Sequence, residues 1–206
     1  MLDRVLDAVA GQITALPGGC FLVGVDGVDG AGKTTFADAL ARTLRRTGRT
    51  AARVSLDDFH RPRAVRYARG RDSPEGFFLD SFDLDRFVAD VVRPIRAGQQ
   101  RLRPIAHDLA TDESIDPPWS VVDPGCIVIV DGLFLHRDEL VPVWDLSVFL
   151  DVSFEITAAR MALRDGTPAD PADPAMRRYV EGQRLYLAAC EPWRRASMVI
   201  DNSDVR

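Results

Sequence analysis

The strongest constraint on this chain is eight residues long: Gly27 to Thr34 reads G-x-x-x-x-G-K-T. Its surroundings suit a phosphate-binding loop. Phe21 to Val25 is a short apolar, partly β-branched run, the pattern of a buried parallel strand. From Thr34 onward Phe36, Ala37, Leu40, Ala41 and Leu44 recur at helical spacing, so the loop joins a strand to a helix. Glycines let such a loop turn its N–H groups inward around phosphate oxygens, and the helix N-terminus adds positive potential. The spacing predicts a nucleoside triphosphate cradle of Gly27, Val28, Asp29, Gly30, Ala31, Gly32, Lys33, Thr34 and Thr35. Lys33 is expected to reach the β- and γ-phosphates, and the Thr34 hydroxyl to hold Mg²⁺.

Composition sharpens the reading at one residue. Of 26 basic residues only Lys33 is lysine; the other 25 are arginine. A chain that uses arginine everywhere else keeps lysine where a compact ammonium on a flexible stem is wanted. A net charge of −5 argues against a general nucleic-acid binder. Cys20, Cys126 and Cys190 are odd in number and far apart, which fits a reducing, cytoplasmic setting better than a disulfide framework. No apolar stretch approaches the ~20 residues of a membrane span. Leu2, Val5, Leu6, Val9, Ile13 and Leu16 read as an amphipathic helix rather than a signal peptide.

Further along, Ala51 to Leu56 reads as a second strand, ending in Asp57-Asp58-Phe59-His60. Residues 61–76 are polar and rich in Arg, Gly and Pro, the composition of a mobile loop beside the site. Asp83 can cap a helix carrying Leu84, Phe87, Val88, Val91, Val92 and Ile95, with a small hairpin expected between Arg101 and Ile115. Ile127 to Val130, Leu146 to Leu150 and Ser197 to Ile200 are three more strands, with helices over Phe154–Leu163 and Met176–Ala189. The whole predicts a three-layer, doubly wound α/β fold with a parallel five-stranded sheet. One domain is expected over 1–206, with a substrate-side insertion over about 60–118 and a lid over about 160–178.

In such sheets ligands bind at the carboxyl ends of the strands, so three strand ends should converge. The loop follows strand one, Asp57-Asp58 follows strand two, and Asp131 follows strand three. Mg²⁺ takes hard oxygen ligands and keeps several waters, so Thr34 with Asp131, or with Asp57, suffices. The other carboxylate can orient an acceptor hydroxyl and take its proton late, which suits the loose transition state of phosphoryl transfer. Asp57 is the choice for that role and Asp58 the alternate. Arg160 and Arg164, four apart on one helix face, are placed to neutralise charge on the transferring group as the lid closes. His60 and His107, with Tyr67, are the candidate contacts to substrate.

With these residues in hand the chain resembles the uridine kinase/phosphoribulokinase family of P-loop kinases. The resemblance rests on Gly27 to Thr35, Asp57-Asp58-Phe59-His60, Asp80-Ser81-Phe82-Asp83, Val130-Asp131-Gly132-Leu133-Phe134-Leu135, Asp151, Arg160 with Arg164-Asp165, and Ile200-Asp201-Asn202. It implies ATP- and Mg²⁺-dependent phosphorylation of a hydroxyl on a small metabolite, most simply a nucleoside. It also implies that the carboxylate at Asp57 serves the acceptor hydroxyl, and it leaves room for a homo-oligomer. Uridine kinases usually carry Tyr, Phe and His after the hairpin proline; here Pro104 is followed by Ile105-Ala106-His107-Asp108. Pantothenate, a sugar or nicotinamide riboside is the alternative acceptor. The loop also resembles that of thymidylate kinases, and a nucleotide-binding regulator without catalysis is the non-enzymatic alternative. A GTPase is excluded, because its Asn-Lys-x-Asp guanine motif needs a second lysine.

Overall fold

The computed structural model describes residues 2–204, and each apolar run read as a strand forms one. The chain runs from α1 (Leu2–Thr14) to β1 (Phe21–Gly27), α2 (Lys33–Arg46) and β2 (Ala51–Ser55). A 3-10 turn at Leu56–Phe59 leads into short pieces: α3 (Arg63–Arg66), α4 (Pro74–Asp80), α5 (Leu84–Phe87), a π-helical turn at Val88–Val92, and α6 (Arg93–Arg96). Two-residue strands follow as β3 (Arg101–Leu102), β4 (His107–Asp108), β5 (Glu113–Ser114) and β6 (Ser120–Val121). The chain then enters β7 (Ile127–Asp131), β8 (Leu146–Asp151), α7 (Phe154–Asp165), α8 (Arg177–Cys190), α9 (Pro192–Arg195) and β9 (Met198–Asp201).

The main sheet has the order β2-β7-β1-β8-β9, and its neighbours pair in parallel. Alternation along β7 shows why both faces must be covered. Ile127 and Ile129 join a core with α1 and α2, built on Leu6, Ile13, Phe36 and Leu40. Val128 and Val130 join an aromatic core on the other face, with Phe59, Phe77, Phe87, Phe134 and Tyr186. Helices on both faces of a parallel sheet make this a three-layer, doubly wound α/β fold, as expected.

Register brings the site together. Asp131 of β7 lies level with Val25 of β1 on one side and with Ser55 of β2 on the other. The residues just beyond these positions, 26–34 and 56–58, therefore emerge at one edge of the sheet.

The structure departs from the expected pattern in three places. Residues 61–76 are not a loose loop: they contain α3 and the start of α4, and Arg178 binds their carbonyls. The helix expected over Leu84–Ile95 forms without interruption but is widened by the π turn ahead of α6. Pro94 has no N–H to give the preceding turn and its ring crowds that turn, which accounts for the widening. The hairpin expected between Arg101 and Ile115 divides in two: β4 pairs with β5, whereas β3 pairs with β6 beyond Pro117-Pro118.

Candidate functional site

The loop after β1 turns on its glycines. Gly30 has φ of 74°, and a Cβ there would stand 2.7 Å from the Thr157 carbonyl oxygen. Gly32 has φ of 89° and begins α2 with no side chain capping the helix, so the first amides of α2 open toward the site. Lys33 Nζ donates to the Val28 carbonyl at 2.9 Å, which folds the ammonium over the loop. Not every amide of the loop faces a ligand. Gly27 N–H donates to Asp26 Oδ1 at 2.7 Å and Asp29 N–H to Gln183 Oε1 at 2.6 Å. Ala31 N–H likewise donates to the Val28 carbonyl at 3.1 Å, so three positions of the expected cradle have their amides held by protein acceptors.

Beside the loop, Thr34 Oγ1 donates to Asp131 Oδ2 at 2.7 Å. The other oxygen of Asp131 accepts Arg53 Nη2 at 2.6 Å, and Arg53 also pairs with Asp38 on α2. Asp131 is only 2 % exposed, and the pairing with Arg53 gives this buried carboxylate its ionic partner. A hydroxyl and a carboxylate side by side are hard oxygen donors that suit Mg²⁺, which takes few protein ligands and relies on phosphates and water. Among the described residues no group of three or more His, Cys, Asp or Glu is arranged to hold a metal.

A cavity of about 730 Å³ joins these groups: Asp29, Lys33, Thr34, Asp57, Asp131, Arg160 and Arg164 all line it. Asp57 is exposed within this lining, with its backbone N–H held by Ser55 Oγ at 3.3 Å. Asp58 lies outside the lining, and its carboxyl is pushed up by burial and by the charges of Asp57 and Asp131. Burial also raises the carboxyl of Asp29, against the pull of Lys33.

The two arginines differ from each other. Arg160 is half-buried and donates to the carbonyls of Asn202 and Ser203, each at 2.8 Å, and to Gly30 at 3.4 Å. It ties α7 to the loop and to the chain after β9, where Asn202 Nδ2 in turn donates to Ala31 O at 2.7 Å. Arg164 is exposed and pairs with Asp165 at the cavity rim.

The remaining expected substrate contacts lie outside the cavity lining, on the side of the insertion. His60 Nδ1 donates to the Asp57 carbonyl at 2.7 Å, its ring packs on Phe82, and burial lowers its pKa. His107 Nε2 donates to Asp112 Oδ1 at 3.1 Å. Its Nδ1 is buried and without a hydrogen-bond partner among the described residues. Tyr67 departs from its expected place: its ring lies under the guanidinium groups of Arg66, Arg71 and Arg178, at 5.5, 5.7 and 4.9 Å, and is used in packing.

Sequence reasoning passed over several groups. Arg53 sits inside a strand, where an arginine must find a partner, and that is a readable signal. Asp26 and His136 carried none. Asp26 is fully buried beneath the loop, where it accepts His136 Nδ1–H at 2.7 Å and the hydroxyl of Tyr186, while His136 Nε2 meets Ser147 Oγ at 2.9 Å.

The model of the phosphoribulokinase and uridine kinase family matches residues 22–168. The uridine kinase of Leuconostoc citreum is 29% identical over 180 residues, which cover 83% of this chain and 78% of that protein. Among solved structures, a possible uridine kinase from Bacillus stearothermophilus superposes with a TM-score of 0.77 at 26% identity, covering 97% of this chain and 99% of the other. A candidate fructose transport system kinase from Silicibacter sp. TM1040 gives a TM-score of 0.76 at 26% identity, covering 97% and 98%. No helix among the described residues is long and apolar enough to cross a membrane.

Proposed function

This chain belongs to the phosphoribulokinase and uridine kinase family, and on that premise we propose that it phosphorylates a nucleoside hydroxyl from ATP with Mg²⁺. At the coarser level it is a P-loop phosphotransferase with a hydroxyl acceptor. The observation that carries the finer reading is the shared cavity, which Lys33, the Thr34–Asp131 pair and Asp57 all line.

When bound, MgATP supplies the electrophilic phosphorus and the metal charge that offsets its oxygens. The amides of Gly30, Gly32 and the first turn of α2, with Lys33, bind the phosphates, and Thr34 with Asp131 faces the metal. Asp57 orients the acceptor hydroxyl. A carboxylate is too weak a base to strip an alcohol in the ground state, so it takes the proton late. Arg164 at the rim neutralises charge as residues 160–178 close, and Arg160 holds the loop against the segment after β9. Residues 60–118 form the shelf that receives the acceptor, with His60, His107 and Asp58 nearest Asp57.

A second acceptor class has an observation of its own. After Pro104 the shelf offers Ile105 and the buried Ala106, with no aromatic ring for a pyrimidine to stack on. Likeness to a candidate fructose kinase is as high as to a candidate uridine kinase. An ATP-consumption screen over uridine, cytidine, pantothenate, simple sugars and nicotinamide riboside decides between them. Turnover with a nucleoside supports the first reading, and turnover with a sugar alone replaces it with the second. Consumption with none of them, despite nucleotide binding, leaves the regulator.

A further inference from the structure

One helix reaches both halves of the cleft. On α8, Gln183 is 2 % exposed, and its Oε1 accepts the Asp29 amide at 2.6 Å. Its Nε2 donates to Tyr179 O at 3.0 Å, which fixes the oxygen toward the loop. Near the next turn, Tyr186 donates to Asp26 Oδ2 and accepts His136 N–H at 3.1 Å, while Asp26 Oδ1 holds Gly27 N–H. The first half of the phosphate loop thus hangs from α8 at two points.

The start of the same helix grips the shelf. Arg178, 7 % exposed, donates to the carbonyls of Arg66, Gly70, Arg71 and Ser73 at 3.1, 3.4, 3.0 and 3.1 Å. Between the two grips α8 packs directly on α4: a Cβ at Gly182 would come within 2.8 Å of Pro74 O and of the Phe77 ring. Arg178 and Tyr186 are eight positions apart, about 12 Å of helix. Since hydrogen-bonded helix is stiff on this scale, a change in order at one end is felt at the other, and the coupling is reciprocal.

We propose that α8 is the tie that sets the phosphate loop against the acceptor shelf, with Gln183 the positioning residue at the loop and Arg178 the one at the shelf. The proposal rests on the nucleotide reading above and goes beyond it.

Hydrogen exchange with Mg²⁺ and AMP-PNP tests it without any acceptor. In the wild-type protein the nucleotide should slow exchange in peptides from 27–35 and also in peptides from 66–76. In Gln183→Met the loop should still be slowed, while the slowing over 66–76 falls at least about threefold. Arg178→Lys keeps the charge but cannot reach all four carbonyls, and should lose the distant slowing while keeping that of the loop. Equal slowing over 66–76 in Gln183→Met and wild type, or none there in wild type, overturns the proposal. Absence of slowing over 27–35 in wild type instead overturns the nucleotide reading, and the proposal with it.

Discussion

The phosphate side of the cleft and the acceptor side are built in opposite ways. The phosphate side is one continuous stretch, β1 to α2, whose glycines, lysine and threonine act within a few residues of each other. The side proposed to receive the acceptor is assembled from pieces far apart in the chain: Asp57 after β2, His107 on a two-residue strand, and the 66–73 segment held by Arg178 of α8. A local motif is under the control of a short sequence, so it tolerates little change. A surface pooled from distant segments can be re-aimed by altering any one of them, as the missing ring after Pro104 illustrates. The contrast explains how relatives can share a loop and differ in what they phosphorylate.

Substitutions on the two sides should therefore behave differently. Asp57→Asn should lower phosphoryl transfer by about 10²–10⁴-fold, the usual contribution of a positioned proton acceptor. Affinity for AMP-PNP, measured by calorimetry, should stay near wild type; a collapse of affinity would make Asp57 chiefly a metal ligand. Lys33→Ala should slow turnover by ~10²–10³-fold, as removal of one pre-positioned donor does, and should weaken nucleotide binding as well. Unchanged turnover there would remove Lys33 from the mechanism.

Arg53→Met leaves the buried Asp131 carboxylate with Thr34 alone. Loss of a hydrogen bond to a charged group costs about 1.5–3 kcal/mol, visible as a drop of several degrees in Tm. A Tm equal to wild type would show that Arg53 does not hold Asp131.

The smallest effect belongs to the acceptor side. Burial lowers the pKa of His60, so the unfolded chain takes up the proton more readily than the folded one. Its contribution is present above the ordinary histidine pKa of about 6.5 and is lost as pH falls through it, by at most ~1.4 kcal/mol per pH unit. His60→Asn should flatten the fall of Tm between neutral and mildly acid pH; an unchanged slope would place the effect on other groups.

The same contrast separates what could be read in the sequence from what could not. Lys33, Thr34 and Asp131 were legible because each sits at a fixed offset from a strand that its own β-branched residues announce. The five strands were legible for the same reason. The helix over Leu84–Ile95 was legible from its spacing, whereas the π turn within it depends on packing. Residues 61–76 read as a loop because their own composition lacks a core. They are ordered by Arg178, more than a hundred positions away, and no local pattern contains that contact. Gln183 and Tyr186 look like ordinary helix residues until the fold sets them under the loop.

The central claim is that the terminal phosphate of a nucleotide lies between the loop and Asp57 in one cavity. A crystal structure with AMP-PNP and Mg²⁺ measures this directly. The account predicts Mg²⁺ about 2.0–2.1 Å from Thr34 Oγ1 and the γ-phosphorus facing the Asp57 carboxylate across the cavity. A terminal phosphate turned away from Asp57, with the metal bound elsewhere, would contradict it.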